Sequence, residues 1–180
     1  MRWWLAVCLL AWCCGTSAGW CEEAPSDAPS AYARGLESYQ HRQWDEALRW
    51  WRQTMTLDPS LAQAYVGVGV ILLHQGHAAE AEAEFQTALA HDPRQVDALA
   101  DLGVLALQRG QYDIAVSYYR KAVGIEPTDA SLWVDLATSY AAGGHSDAAR
   151  TAALNALSFD ADADEARALL QRLDRQPAPP

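Results

Sequence analysis

The amino-acid sequence predicts an all-α chain of repeated helix pairs, and three observations predict it. Apolar and small residues recur at helical spacing. Leu99, Leu102, Gly103 and Ala106 fall at i, i+3, i+4 and i+7, and Ala115, Tyr119 and Ala122 at i, i+4 and i+7. Glycine and proline punctuate the runs. Gly110 marks a turn between them, and Pro127 ends the second because it lacks a donor and disfavours helical geometry at Glu126. The third observation is a period of 34 residues that runs unbroken. One step back stand Tyr65, Val68, Gly69, Leu72, Gly76, Ala81, Phe85, Ala88 and Pro93. A further step gives Ala31, Gly35, Ala47, Trp51 and Pro59. A step forward gives Trp133, Leu136, Ala137, Tyr140, Gly144, Ala149, Ala153 and Ala156, with Ala161 where proline stood. Neither short helix of a unit can bury its apolar face alone, so each unit needs neighbours.

This pattern resembles the tetratricopeptide repeat family, whose period and small/large alternation it shares. The resemblance covers residues 28–161, in units spanning 28–61, 62–95, 96–129 and 130–163. It implies an α-solenoid whose usual work is binding other proteins.

Taken in order, residues 1–18 read as a secretory signal peptide. Arg2 is a minimal positive n-region, Trp3 to Cys14 a 12-residue apolar core, and Thr16-Ser17-Ala18 supplies small residues for a cut after Ala18. That core falls short of the ~20 residues a spanning helix needs. The expectation is export, and the signal type points to a bacterial periplasm. A membrane would be engaged only through a retained or lipidated N-terminus, within residues 1–21, which hold all four cysteines. Cys21 survives the cut as a lone thiol, but Trp20 before it fits poorly where lipoprotein signals resemble Leu-small-small-Cys. An array without cysteine has no disulfide framework and no thiolate metal site. Residues 19–27, rich in Ala, Pro and Ser, read as a disordered linker.

In a stacked solenoid the third and tenth residues of each first helix face the preceding repeat. These are Ala64/Ile71, Ala98/Leu105 and Leu132/Ser139, against Ser30 and Glu37 in the first unit. A polar pair suits a terminal repeat, so the array is expected to begin there. Residues 164–175 place Ala166, Leu169, Leu170 and Leu173 on one stripe of an amphipathic capping helix. Residues 176–180 read as a frayed tail.

The chain is 51% hydrophobic with a net charge of −10 and one lysine, Lys121. An acidic chain without a basic run argues against nucleic acid and against an anionic membrane surface, since both are recognised through neutralised phosphates. His74 and His77 bracket the Gly76 turn without the three or four converging groups a metal needs. Gly67-x-Gly69 lacks the third glycine of a dinucleotide loop, and within the repeats no GxSxG, P-loop or HExxH occurs. No cofactor, metal, small-molecule substrate or catalytic residue is expected.

The resemblance also implies where a partner would sit. In this family the inner surface comes from the second, fifth, ninth, twelfth and thirteenth residues of each first helix. Here the fifth, ninth and twelfth are Tyr32, Leu36 and Tyr39, then Val66, Val70 and Leu73, then Ala100, Val104 and Leu107, then Val134, Thr138 and Ala141. Asp97, Asp101 and Asp135 add acidic spots. Family members that clamp a chaperone's C-terminal carboxylate place Lys, Arg and Asn on this surface; acidic residues would repel that ligand, so a carboxylate clamp is excluded.

Two readings of the apolar positions stay open. Val70, Leu73, Val104 and Leu107 are either core or groove, and Val68, Leu72, Leu102 and Leu105 already fill a core stripe, which favours the groove. Burying ~500 Å² of such a surface is worth on the order of 12 kcal/mol gross, against association costs of ~4–15 kcal/mol. Micromolar affinity for a short amphipathic helix or an apolar extended segment is the expectation. Trp50 is the candidate for a second, convex contact. The expected function is a non-enzymatic protein-binding scaffold in the bacterial cell envelope, with a self-associating structural scaffold (a homo-oligomer) as the alternative.

Overall fold

The computed structural model describes residues 26–175, so the signal peptide, most of the linker, all four cysteines and the tail lie outside the described residues. Among the described residues the secondary structure is helical throughout. The helices are α1 (Ala28–Gln40), α2 (Trp44–Leu57), α3 (Ala62–His74), α4 (Ala78–His91), α5 (Val96–Gln108), α6 (Tyr112–Ile125), α7 (Ala130–Ala142), α8 (Ser146–Phe159) and α9 (Asp164–Arg175). Each repeat pairs a 13-residue first helix with a 14-residue second helix. Successive helices pack on one another as antiparallel neighbours, and α9 packs on α7 and α8.

The same backbone device closes every pair. The N–H of Gln43, His77, Gln111 and His145 returns to the carbonyl of Ser38, Leu72, Ala106 and Tyr140, at 2.8–2.9 Å, capping the first helix from three residues past its end. The turn requires a left-handed residue, supplied by Gly76, Gly110 and Gly144 at φ 83°, 71° and 81°. In the first repeat Arg42 takes that conformation, at φ 59°. Between repeats, Asp58, Asp92 and Asp160 each accept a backbone N–H two residues on, from Ser60, Arg94 and Asp162, and so fix the chain's exit from the second helix.

Small-to-large complementarity sets the helix spacing within a pair. A Cβ on Gly69 would come within 2.6 Å of the Phe85 ring, one on Gly103 within 2.6 Å of the Tyr119 ring, and one on Gly35 would collide with Trp51. In repeat 4 the corresponding residues are Ala137 and Ala153, both fully buried. Between repeats, Ala64, Ile71, Ala98, Leu105, Leu132 and Ser139 are all buried, whereas Ser30 and Glu37 are exposed. The Tyr65 hydroxyl donates to the Pro59 carbonyl (3.0 Å) and the Trp133 indole N–H to the Pro127 carbonyl (2.8 Å), one link at the same repeat position in two places. Ala166, Leu169 and Leu173 of α9 are buried against repeat 4, and Arg150 of α8 pairs with Asp174.

Candidate functional site

The first helices carry the inner surface, and between repeats 1 and 3 that surface opens into a cavity of about 350 Å³. Its lining includes Tyr32, Leu36 and Tyr39 of α1, Trp51 of α2, Gln63, Val66, Gly67 and Val70 of α3, and Asp97, Ala100 and Asp101 of α5, with Gln95 just before α5. Eight of the residues expected in a groove, Tyr32, Leu36, Tyr39, Val66, Val70, Asp97, Ala100 and Asp101, therefore meet at one place. Leu36 is 41% exposed there, Tyr32, Tyr39 and Val70 are half-buried, and Val66 is buried in the floor.

The other expected positions lie outside this cavity. Val104 is exposed on α5, while Leu73 and Leu107 are half-buried and pack against the core. These two thus sit between the core and groove readings rather than wholly in either. Asp135 is half-buried on α7, one repeat beyond Asp101. Trp50 is half-buried, with the Arg34 guanidinium 5.2 Å over its ring, so an arginine covers part of the face offered as a convex contact. His74 stacks on Trp44 at 5.5 Å and His77 bonds Glu80 at 2.7 Å, which separates the two imidazoles functionally. Among the described residues no cluster of three or more His, Cys, Asp or Glu is placed to hold a metal, and no helix is long and apolar enough to cross a membrane.

Trp51, Gln63, Gly67 and Gln95 are the lining residues that sequence reasoning missed. Trp51 fits a core position and is 3% exposed, yet Gly67 lets the cavity reach it, because a Cβ at Gly67 would stand 2.6 Å from its ring. A glycine inside a helix, unexplained by the repeat, was the signal available. Tyr32 and Tyr39 stand beside the Trp51 ring, at centroid distances of 6.3 and 5.7 Å. The wall is therefore aromatic on the side of repeat 1 and acidic on the side of repeat 3.

Electrostatics sharpen that division. Burial, with Asp97 alongside, pushes the Asp101 carboxyl up to about 6. Burial also pushes Asp135 to about 6, helped by Glu165 of α9 and by Asp129. The Tyr119 hydroxyl lies within the field of both carboxylates, is fully buried, and has no hydrogen-bond partner; burial and the two charges raise its pKa. The Trp51 indole N–H is likewise buried without a partner. A second cavity of about 410 Å³ opens between α6, α7 and α8, lined by Arg120, Val123, Trp133, Leu136, Tyr140, Ala148, Thr151, Ala152 and Asn155. Ala152 stands there at the repeat position that Trp50, Glu84 and Tyr118 hold in repeats 1 to 3.

A stacked array of helix pairs with an inner groove defines a repeat solenoid. The chain belongs to a tetratricopeptide-like family: the model described as the cilia and flagella-associated protein 70 middle TPR-like domain matches residues 30–158. Among solved structures it is similar to MamA 41-end from Desulfovibrio magneticus RS-1, with a TM-score of 0.73 at 18% identity over 84% of this chain and 85% of that one. Pseudomonas aeruginosa pilF gives 0.73 at 19% identity over 81% and 67%. YrrB, a TPR protein with an unusual peptide-binding site, gives 0.71 at 22% identity over 82% and 76%. At these identities the likeness is one of fold. No curated protein matches the chain in sequence. Solenoids of this family serve in general as scaffolds for protein–protein contact and are typically non-catalytic.

Proposed function

We propose that the protein is a non-enzymatic scaffold, exported by residues 1–18 to a bacterial cell envelope, that holds an apolar helix or extended segment of another protein in its inner groove. The observation that carries this reading is the cavity where Tyr32, Leu36, Tyr39, Val66 and Val70 converge: an apolar concavity on the face a solenoid offers to partners. The peptide-binding site of YrrB, on a solenoid of the same fold, supports a peptide as ligand.

The experiment is a crosslinked pull-down of the exported protein from its own envelope beside Val70→Glu/Leu107→Glu, with matching helical melts required first. A partner captured by the native protein and lost by the variant is the expected result. A partner retained equally by both would move the contact off the groove, with the Trp50 surface next. Sedimentation that shifts with concentration in the absence of any partner would favour the self-associating scaffold instead.

A further inference from the structure

Resting on the groove reading above, we propose that the cavity between repeats 1 and 3 receives one cationic side chain, a lysine or arginine of the bound segment, held between the rings of Tyr32, Tyr39 and Trp51 and the carboxylates of Asp97 and Asp101.

The cavity supplies both halves of a cation site. Three aromatic rings stand on one wall, and ring faces attract a cation through their quadrupole. Two carboxylates stand on the other, and no arginine, lysine or histidine among the described residues is ion-paired with either of them. The Asp97 charge is felt at the Tyr32 hydroxyl, so the two walls are within electrostatic reach of each other across the opening. At about 350 Å³ the space is at the small end of the range for binding pockets, which suits one long side chain rather than a helical turn.

Charge argues for the occupant as shape does. A carboxylate half-buried beside another carboxylate is disfavoured as an anion, and the raised pKa of Asp101 expresses that cost. A cation brought in by a partner would relieve it, whereas a second anion would add to it. The apolar stem of a lysine or arginine can lie along Val66 and Val70 while its head reaches Asp101, the disposition long cationic side chains adopt at apolar surfaces. The rest of the segment is then read by the apolar positions alone. The motif expected in a partner is one cation at a fixed offset from an apolar run.

Selection of short random displayed peptides on the wild type, on Val70→Glu/Leu107→Glu and on Asp97→Asn/Asp101→Asn tests this. The expected peptides bind the wild type, fail on the Val70→Glu/Leu107→Glu protein, and share a lysine or arginine at one offset. Replacing that residue by norleucine or citrulline should weaken binding to the wild type about tenfold, and should change little on Asp97→Asn/Asp101→Asn, because the partner charges are already gone. Groove-dependent peptides with no fixed cation, or peptides indifferent to Asp97→Asn/Asp101→Asn, overturn the cation site and leave the groove reading standing. Peptides that bind all three proteins alike, or no selected peptide at all, overturn both. The asparagine variant removes repelling charges, so its thermal melt should not fall and lost affinity will not be lost fold.

Discussion

In repeats 1 to 3 a ring on the second helix packs against a glycine on the first: Trp51 on Gly35, Phe85 on Gly69, Tyr119 on Gly103. In repeat 4 the pair is Ala153 with Ala137, and no ring lies between the helices at that level. In repeats 2 to 4 both arrangements exclude solvent completely, since Phe85, Tyr119, Ala137 and Ala153 are all 0% exposed, and only Trp51, which the cavity reaches, keeps 3%. The two residues therefore act as one unit, and either half exchanged alone leaves a clash or a hole. Elsewhere on the same helix, Ala148 and Ala152 line the cavity between α6, α7 and α8.

The largest effects should come from breaking that unit. Phe85→Ala removes a fully buried ring and is expected to cost about 3–5 kcal/mol. Gly69→Ala drives a Cβ to within 2.6 Å of that ring and should cost about 1–3 kcal/mol by overpacking. The double variant imitates repeat 4, so its loss should fall short of the sum by roughly 1 kcal/mol or more, measured by denaturant unfolding of all four proteins. Strict additivity would show that the pairing is incidental.

That unit also shows how far the sequence could be read. Helix number, the 34-residue register and the inter-repeat positions follow from apolar spacing and from Gly110 and Pro127, because those signals are local and repeated. Eight of the expected groove residues meet in one cavity for the same reason, since a strict repeat fixes which face each position takes. What the repeat averages away is less legible. The cavity owes its depth to Gly67, a local exception, and its aromatic wall to Trp51, whose repeat position is otherwise filled by core residues. The Arg34 guanidinium over Trp50 depends on two side chains meeting across helices, which no periodicity encodes.

The comparison extends from packing to charge. At the repeat position where Asp101 and Asp135 stand, repeats 1 and 2 have Ala33 and Gly67. Each aspartate titrates near 3.8 in an unfolded chain and near 6 in the folded one. The folded state holds those protons longer, so their contribution to stability is fully present below pH 3.8 and is lost as pH rises through 6. With partial exposure allowed for, the loss is on the order of 1–2 kcal/mol per site. Asp101→Asn and Asp135→Asn should each raise the melting temperature at pH 7.5 and change it little at pH 4. An unchanged slope of melting temperature against pH in the double variant would place the protons elsewhere.

The smallest effect concerns the turns, where repeat 1 is again the exception. Arg42 holds φ 59° at the place where Gly76, Gly110 and Gly144 hold 71–83°. A non-glycine residue in the left-handed region is strained by about 1 kcal/mol or a little more, through the crowding of its Cβ. Glycine removes that strain but enlarges the conformational freedom of the unfolded chain, which costs about 0.4–1 kcal/mol. The two terms nearly balance, so Arg42→Gly should stabilise by no more than about 0.5 kcal/mol. Arg42→Ala sharpens the case, because it keeps the Cβ and the strain while deleting the long side chain. Arg42→Gly melting above Arg42→Ala would assign the difference to backbone geometry; Arg42→Ala matching Arg42→Gly would assign it to the guanidinium's own contacts.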